Sequence, residues 1–479
     1  MTDSRPNIIF IMTDQQRYDT INALGFPYMD TPVLDRLVAE GTAFTQCHVA
    51  GASCVPSRAA LFTGFYPHTN GIFRNGLMWQ HTWVEQFQAA GYRTINIGKM
   101  HTDPMDTPAG FDERYNVENK ARYRARESNP LYADRWDMAL AAHGVQRPTR
   151  LTYSKLPDYK ERLGAYEWPL AKHLHPDIFT ADMALWWLKR NHPVDKPLFL
   201  QVGFPGPHPP YDPWAEEVAA YMDKDLPIEA VTQAEMDAQP PAVQHVRKVH
   251  WEGETDGTPF NPYATPDQRK RQRAYYFANQ TMIDRKIGEV LDLLKEQGYL
   301  DNAVVVFTSD HGDCLGDHGL NQKWTCYEQI TRMPLVLWGP GRVPAGKAVD
   351  ALVQQQDVVP WLFDVAGIAQ TEPMEVESLA PALTGGEFTG REAVYCEQGK
   401  DRFMSEDFMT MVRTNDWKLV HYLNTDQGQL FDLKNDPLEL KDLWQDAGAR
   451  AMRAELTDRL MLWRLNSQLA TSEWTRKSR

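Results

Sequence analysis

The chain is poor in cysteine, in long apolar runs and in net positive charge. Its 479 residues include five cysteines, Cys47, Cys54, Cys314, Cys326 and Cys396. An odd number at irregular spacing is no disulfide framework, so reduced thiols and a cytoplasmic location are expected. No stretch approaches the ~18 apolar residues of a membrane span, and no membrane partner is expected. The opening "MTDSRPNIIFIMTD" lacks the basic region and long apolar core of a secretory signal. The formal net charge is −14, which argues against general affinity for nucleic acid or anionic membranes. The one basic run, "RKRQR" at 269–273, reads as a solvated helix face in so acidic a chain. Internal repeats and low-complexity segments are missing too.

What is present is alternation. Asn7–Thr13 ("NIIFIMT") is short, apolar and rich in β-branched residues, as in a parallel strand buried on both faces. Thr31-Pro32 opens a helix, with threonine as N-cap and proline in the first turn, and Gly41 ends it. Further helices are expected after Cys54, over about Thr82–Ala90, over Phe179–Asn191 and over Gln268–Gln297. Strands are expected at Tyr92–Ile97, Pro197–Val202, Ala303–Thr308 and Pro334–Trp338. Strand and helix in turn predict an α/β fold with a large, mostly parallel sheet flanked by helices. From about residue 390 short strands and turns predict a small C-terminal antiparallel sheet. An amphipathic final helix follows it, then a polar tail from Ser467. The expected division is a catalytic α/β domain over 1–380 and a small C-terminal subdomain with its tail over 381–479.

In such folds ligands bind beyond the carboxyl ends of the strands. Four strand ends here carry dense polar clusters: Asp14 and Gln15; Lys99 and His101; His208; and Asp310 with His311, with Lys323 shortly after. Two carboxylates and an amide oxygen suit a hard divalent cation. A histidine among them widens the choice to manganese or zinc. Each acid alone is equally readable as a helix cap, and a lone histidine as an ordinary loop residue. His68 and His318 stay in that second group, with a place flanking the site left open for His318. Two long segments, 105–175 and 205–265, are rich in Pro, Tyr, Trp, Asp and Arg and read as excursions over the site. Their aromatics Tyr123, Tyr132, Trp136, Tyr166 and Trp168 are expected to pack on the core more often than to stack on a ligand.

Four longer stretches carry a family resemblance. "CVPSRAALFTG" from Cys54 resembles the sulfatase nucleophile motif. "GYRTINIGKMH" (91–101) is similar to the second sulfatase signature. "TSDHGDCLGDHG" and "KWTCYEQITRMPLVLWGPG" are similar to the family's metal-binding and lysine-bearing segments. The likeness runs from Asn7 to about Gly341 in family order, and "LFDLKNDPLELKDL" extends it to the small domain. The chain is identified as resembling the formylglycine-dependent sulfatases of the alkaline phosphatase superfamily.

That resemblance implies hydrolysis of a sulfate monoester of a small molecule or saccharide. It implies that Cys54 is oxidised to formylglycine by a formylglycine-generating enzyme reading Cys54, Pro56 and Arg58. Val55 departs from the small residue usual there, at a variable position. The hydrated aldehyde offers one hydroxyl to attack sulfur and a second whose deprotonation expels sulfate. The implied ligands of one divalent metal, calcium with manganese as the alternative, are Asp14, Gln15, Cys54, Asp310 and His311. The implied catalytic residues are Cys54, Arg58, Lys99, His101, His208 and Lys323. Arg58 holds the diol, Lys99 and Lys323 neutralise sulfate oxygens, His208 or Lys323 protonates the leaving oxygen, and His101 accepts the second hydroxyl's proton. Asp14-Gln15 and Asp310-His311 also resemble the phosphonate monoester hydrolases, so hydrolysis of a phosphonate or phosphodiester is the alternative activity. An inactive sulfated-ligand binding relative is the alternative outside enzymes, and a homo-oligomer is left open.

Overall fold

The computed structural model describes residues 5–477 except 119, 121–132, 194–195, 229–230 and 253–257. Its centre is β1 (Asn7–Asp14). Ile8, Phe10 and Met12 face one side of the sheet, and Ile9 and Ile11 the other, as the two-residue period of a strand requires. The other strands of this sheet are β2 (Thr42–His48), β3 (Arg93–Gly98), β4 (Glu113–Asn116), β5 (Leu198–Pro207), β6 (Ala303–Ser309), β7 (Arg332–Trp338) and β8 (Lys347–Gln354). Their order is β4-β3-β5-β1-β6-β7-β2-β8. All run parallel except β7, which lies antiparallel to both β6 and β2. The fold is therefore the expected α/β architecture, a large, mostly parallel sheet flanked by helices.

Helices cover both faces. α1 (Pro32–Glu40) and the helices Pro176–Arg190 and Pro266–Glu296 pack on the Ile9/Ile11 face. α2 (Cys54–Thr63) and the helices Val84–Ala89 and Val358–Ala366 pack on the other. Thr31 precedes α1 as expected but makes no side-chain cap. The Asp284 carboxylate from the long helix takes that role, accepting from Val33 N at 3.0 Å and Leu34 N at 2.8 Å.

Several expectations change. The "RKRQR" run is not a wholly solvated face: Gln272 and Arg273 are buried, and Arg273 pairs with Asp317. The 105–175 and 205–265 segments hold β4 and the helices Arg135–Ala142, Ala215–Met222, Gln233–Ala238 and Pro241–Glu252. Trp136, Tyr166 and Trp168 are buried, as packing residues are; Tyr123 and Tyr132 lie outside the described residues.

The second sheet is antiparallel, in the order β12-β11-β10-β9, from β9 (Val394–Gly399), β10 (Phe408–Arg413), β11 (Trp417–Tyr422) and β12 (Gly428–Asp432). Lys418 of β11 ties it to the large sheet, with Nζ 2.7 Å from Glu328 Oε1 and 2.7 Å from Glu439 Oε1. The terminal helix runs Arg450–Lys477. The polar tail expected from Ser467 is thus its continuation. Ser467 and Thr471 face inward, and the Trp474 ring lies 4.3 Å from that of Phe65. Among the described residues no helix is long and apolar enough to cross a membrane.

Candidate active site

α2 starts at Cys54 itself. Pro56 sits in the first turn, where a missing N–H costs no helix hydrogen bond. The Ser53 hydroxyl donates to Gln398 Oε1 of β9 at 2.9 Å rather than capping the helix, and Val55 N donates to Asn75 Oδ1 at 3.0 Å. Gly51 lets the chain turn this tightly, since a Cβ there would meet Pro56 at 2.6 Å. Cys54 is thereby presented from a helix N-terminus at the carboxyl edge of the large sheet. All five cysteines are free and buried.

Asp14, Cys54, Asp310 and His311 each bring one ligand atom into a group whose members lie within 4.8 Å of one another. Cys54 Sγ is 3.1 Å from His311 Nε2 and 2.9 Å from Lys323 Nζ. His311 Nδ1 lies 2.9 Å from Gly312 O. Donating there fixes the tautomer and leaves the Nε2 lone pair facing the cluster. Arg58 Nε donates to Asp310 Oδ2 at 2.7 Å and Arg58 Nη1 to Lys99 O at 3.0 Å. Lys99 Nζ pairs with Asp14 Oδ2. The close approach of β3 to β5 that delivers Lys99 needs Gly203, because a Cβ there would collide with Lys99 O.

Gln15 stands one step out. Its backbone N donates to Asp310 Oδ1 at 2.9 Å, and its Oε1 accepts from Lys323 Nζ at 3.0 Å. His101 and His208 are within the field of the same cations but make no hydrogen bond to the cluster. Trp79 Nε1 donates to His101 O at 2.9 Å, and His208 Nδ1 pairs with Pro209 O at 2.8 Å. His68 and His318 are elsewhere: His68 pairs with Glu397, and His318 stacks on Tyr327 at 3.8 Å.

Burial and charge set the protonation states. Burial pushes the Cys54 thiol up to about 11, with Lys323 acting against it. Burial, with Lys323 and Lys99 beside it, takes His311 down to about 3 despite Asp310. Burial followed by Lys99, Arg58 and Lys323 holds His101 well below its ordinary value, and burial followed by Lys323 and Lys99 does the same to His208. Burial opposes ionisation of Asp310, but Arg58, His311, Lys99 and Lys323 outweigh it and hold that carboxyl well below the usual range.

Two functional neighbours escape the sequence reading. Asp313 fixes the Gln15 amide by accepting from Nε2 at 2.6 Å, and it also accepts from Tyr211 Oη, Leu315 N and Gln322 N. Asn75 holds the first turn of α2. Asp313 lies inside the "TSDHGDCLGDHG" stretch and Asn75 follows no buried strand, so only the fold shows what either one holds.

The donor set fits a hard divalent cation. Two carboxylates and an imidazole nitrogen converge, and an amide oxygen stands beside them. The three surrounding cations suit a tetrahedral oxyanion held against the side chain of residue 54. Site and sheet together place the protein among the hydrolases of the alkaline phosphatase superfamily.

Residues 6–368 match the sulfatase family, and residues 316–466 match the C-terminal region of N-sulphoglucosamine sulphohydrolase. An arylsulfatase of Clostridium perfringens is 30% identical over 462 residues, covering 92% of this chain and 90% of its own. An N-acetylglucosamine-6-O-sulfatase of Bacteroides thetaiotaomicron is 27% identical over 495 residues, covering 94% and 85%. The phosphonate monoester hydrolase of Agrobacterium radiobacter shares the fold, with a TM-score of 0.80 at 24% identity over 97% of this chain and 96% of its own. The chain belongs to the sulfatase family and is a sulfuric ester hydrolase.

Proposed function

We propose that the protein hydrolyses sulfate monoesters with a formylglycine made from Cys54, assisted by one divalent cation, calcium before manganese. The observation that carries this reading is the convergence of Asp14, Asp310 and His311 on Cys54, inside a ring of Arg58, Lys99 and Lys323. Asp14, Asp310, His311 and the Gln15 amide oxygen would hold the cation, which supplies Lewis acidity at the sulfate oxygens and favours an ionised nucleophile. The hydrated aldehyde at residue 54 supplies one hydroxyl for attack and one for release of sulfate.

The remaining work falls to side chains already in place. Arg58, anchored on Asp310, orients residue 54. Lys99 and Lys323 neutralise charge growing on the sulfate oxygens. His101, held neutral, accepts the proton of the second hydroxyl, and Lys323 delivers one to the leaving oxygen; His208, held neutral in the same way, has none to give. Purified protein should release sulfate from an aryl sulfate, and mass spectrometry should find an aldehyde at residue 54. Cys54→Ala should abolish turnover; undiminished turnover in that variant would overturn the mechanism.

A phosphonate or phosphodiester activity is the second reading, favoured by Gln15 and His311 standing where many sulfatases carry Asp and Asn. Comparing kcat/KM on matched sulfate, phosphonate and phosphodiester esters separates the two.

A further inference from the structure

β4 pairs in parallel with β3, so residues 114–118 reach the sheet edge that carries Lys99 and His101. Polar atoms cluster there, buried and without a hydrogen-bond partner among the described residues: Arg114 Nη2, Asn116 Oδ1, both carboxylate oxygens of Glu118, and His101 Nδ1. A buried polar atom left unpaired costs about 1–3 kcal/mol, and folded chains keep few of them. Arg114 and Asn116 also line a cavity of about 320 Å³, together with Asp106, Asp134 and Arg135. That volume is at the lower end for small-molecule sites.

The wall is built firmly. Arg114 Nη1 donates to Thr102 Oγ1 at 3.0 Å and Met105 O at 3.1 Å, and Arg114 Nε donates to Asn96 Oδ1 at 2.9 Å. Asn116 Nδ2 donates to Met105 O at 2.8 Å. These bonds use one end of each side chain and leave the other end unmatched. Glu118 is 9% exposed. Burial raises its carboxyl, against the pull of Arg114, Lys99 and Arg58, so it lies within the field of both the cavity wall and the catalytic cations.

We propose that this edge is the leaving-group subsite of the enzyme, and that Arg114, Asn116 and Glu118 bind hydroxyl groups of a sulfated saccharide there. The proposal rests on the sulfatase reading above and adds the substrate class and the residues that select it. A hydroxyl donates and accepts together, so a ring of hydroxyls satisfies the Asn116 carbonyl, the Arg114 guanidinium and the Glu118 carboxyl. An aryl group satisfies none of them. A quaternary ammonium group has neither a donor nor an acceptor and satisfies none of them either.

The test compares kcat/KM for glucosamine 6-sulfate, choline sulfate and 4-nitrophenyl sulfate in the metal-loaded enzyme and in Asn116→Ala, Glu118→Gln and Glu118→Met. Thermal melts are recorded alongside. In Asn116→Ala and Glu118→Met the ratio of sugar to aryl kcat/KM is expected to fall about tenfold or more, chiefly through KM. Glu118→Gln, which keeps a donor and an acceptor, should recover part of it. A ratio that stays constant, whether both activities fall together or neither falls, overturns the subsite. So does a wild-type preference for choline sulfate over the sugar. Wild-type enzyme that releases sulfate from none of the three esters overturns the sulfatase reading first, and the subsite with it.

Discussion

Asp313 touches no ester in the proposed chemistry, yet four donors end on its carboxylate. One is the Gln15 amide, and this bond decides that the oxygen end of Gln15 faces Lys323. Asp313→Ala should free that amide and lower calcium affinity about 10–100-fold, the usual cost of losing a group that orients a ligand; titration calorimetry on the purified protein checks it. His101 gives a second expectation. A histidine with a lowered pKa is already neutral at pH 7 and stays neutral as pH falls past 6.5. The kcat/KM profile should therefore show no His101 limb between pH 7.5 and 6, and an acid limb centred near 6.5 would contradict that role. Asp14, Lys99, His208 and Asp310 were legible in sequence because each closely follows an apolar strand. Asp313 and Glu118 were not: what matters about them is the company of Gln15, Tyr211 and Arg114, all distant or unremarkable in the chain.

At the scale of elements, the central strands were plain because burial on both faces leaves an unbroken apolar run. β2, β4 and β8 were invisible. β4 ("ERYN") is half-buried throughout and sits at one edge, β8 at the other is largely unburied in its first half and buried in its last three residues, and β2 carries an irregular register between Phe44 and Cys47. Edge strands need little apolar surface, so pattern reading passes over them. α1 shows a second limit, since its cap comes from Asp284 far along the chain. Burial raises the Asp284 carboxyl from its ordinary value to about 7, with Val33 N and Leu34 N acting against it. Its sign follows from linkage: the folded state holds the proton more tightly, so the stabilisation is full below pH 4 and is lost as pH rises through 7. Asp284→Asn should flatten the fall of melting temperature between pH 5 and 8, measured by calorimetry.

Across the whole molecule, the small sheet is fastened to the large one by buried charge. Lys418 sits between Glu328 and Glu439, with all three side chains nearly out of solvent. Lys418→Met takes the buried cation from Glu439 and leaves Glu328 to Arg413 at 3.6 Å, and should cost about 3–5 kcal/mol of stability, read as a lowered urea midpoint. Adding Glu328→Gln and Glu439→Gln should restore part of the loss. The pattern of strands and turns foretold two sheets but not this fastening, because each partner alone reads as an ordinary surface charge. The fastening also bears on the site: Glu397 N of β9 donates to Ala50 O at 2.9 Å, and Gln398 holds Ser53. The small sheet thus buttresses the loop from which α2 starts.

That buttress has a consequence in time. Cys54 is 1% exposed, Arg58 is fully buried, and the turn between them is wound into helix. An enzyme that reads Cys54, Pro56 and Arg58 together needs them spread along an accessible segment, a shape this molecule gives up on folding. On the proposed chemistry, oxidation of Cys54 therefore belongs to the newborn chain, before the small sheet has been synthesised and closed over it. A copy that folds first is sealed as a thiol for life. The fraction of active molecules in any preparation then records a race between the ribosome's output and the oxidising enzyme, run once per chain.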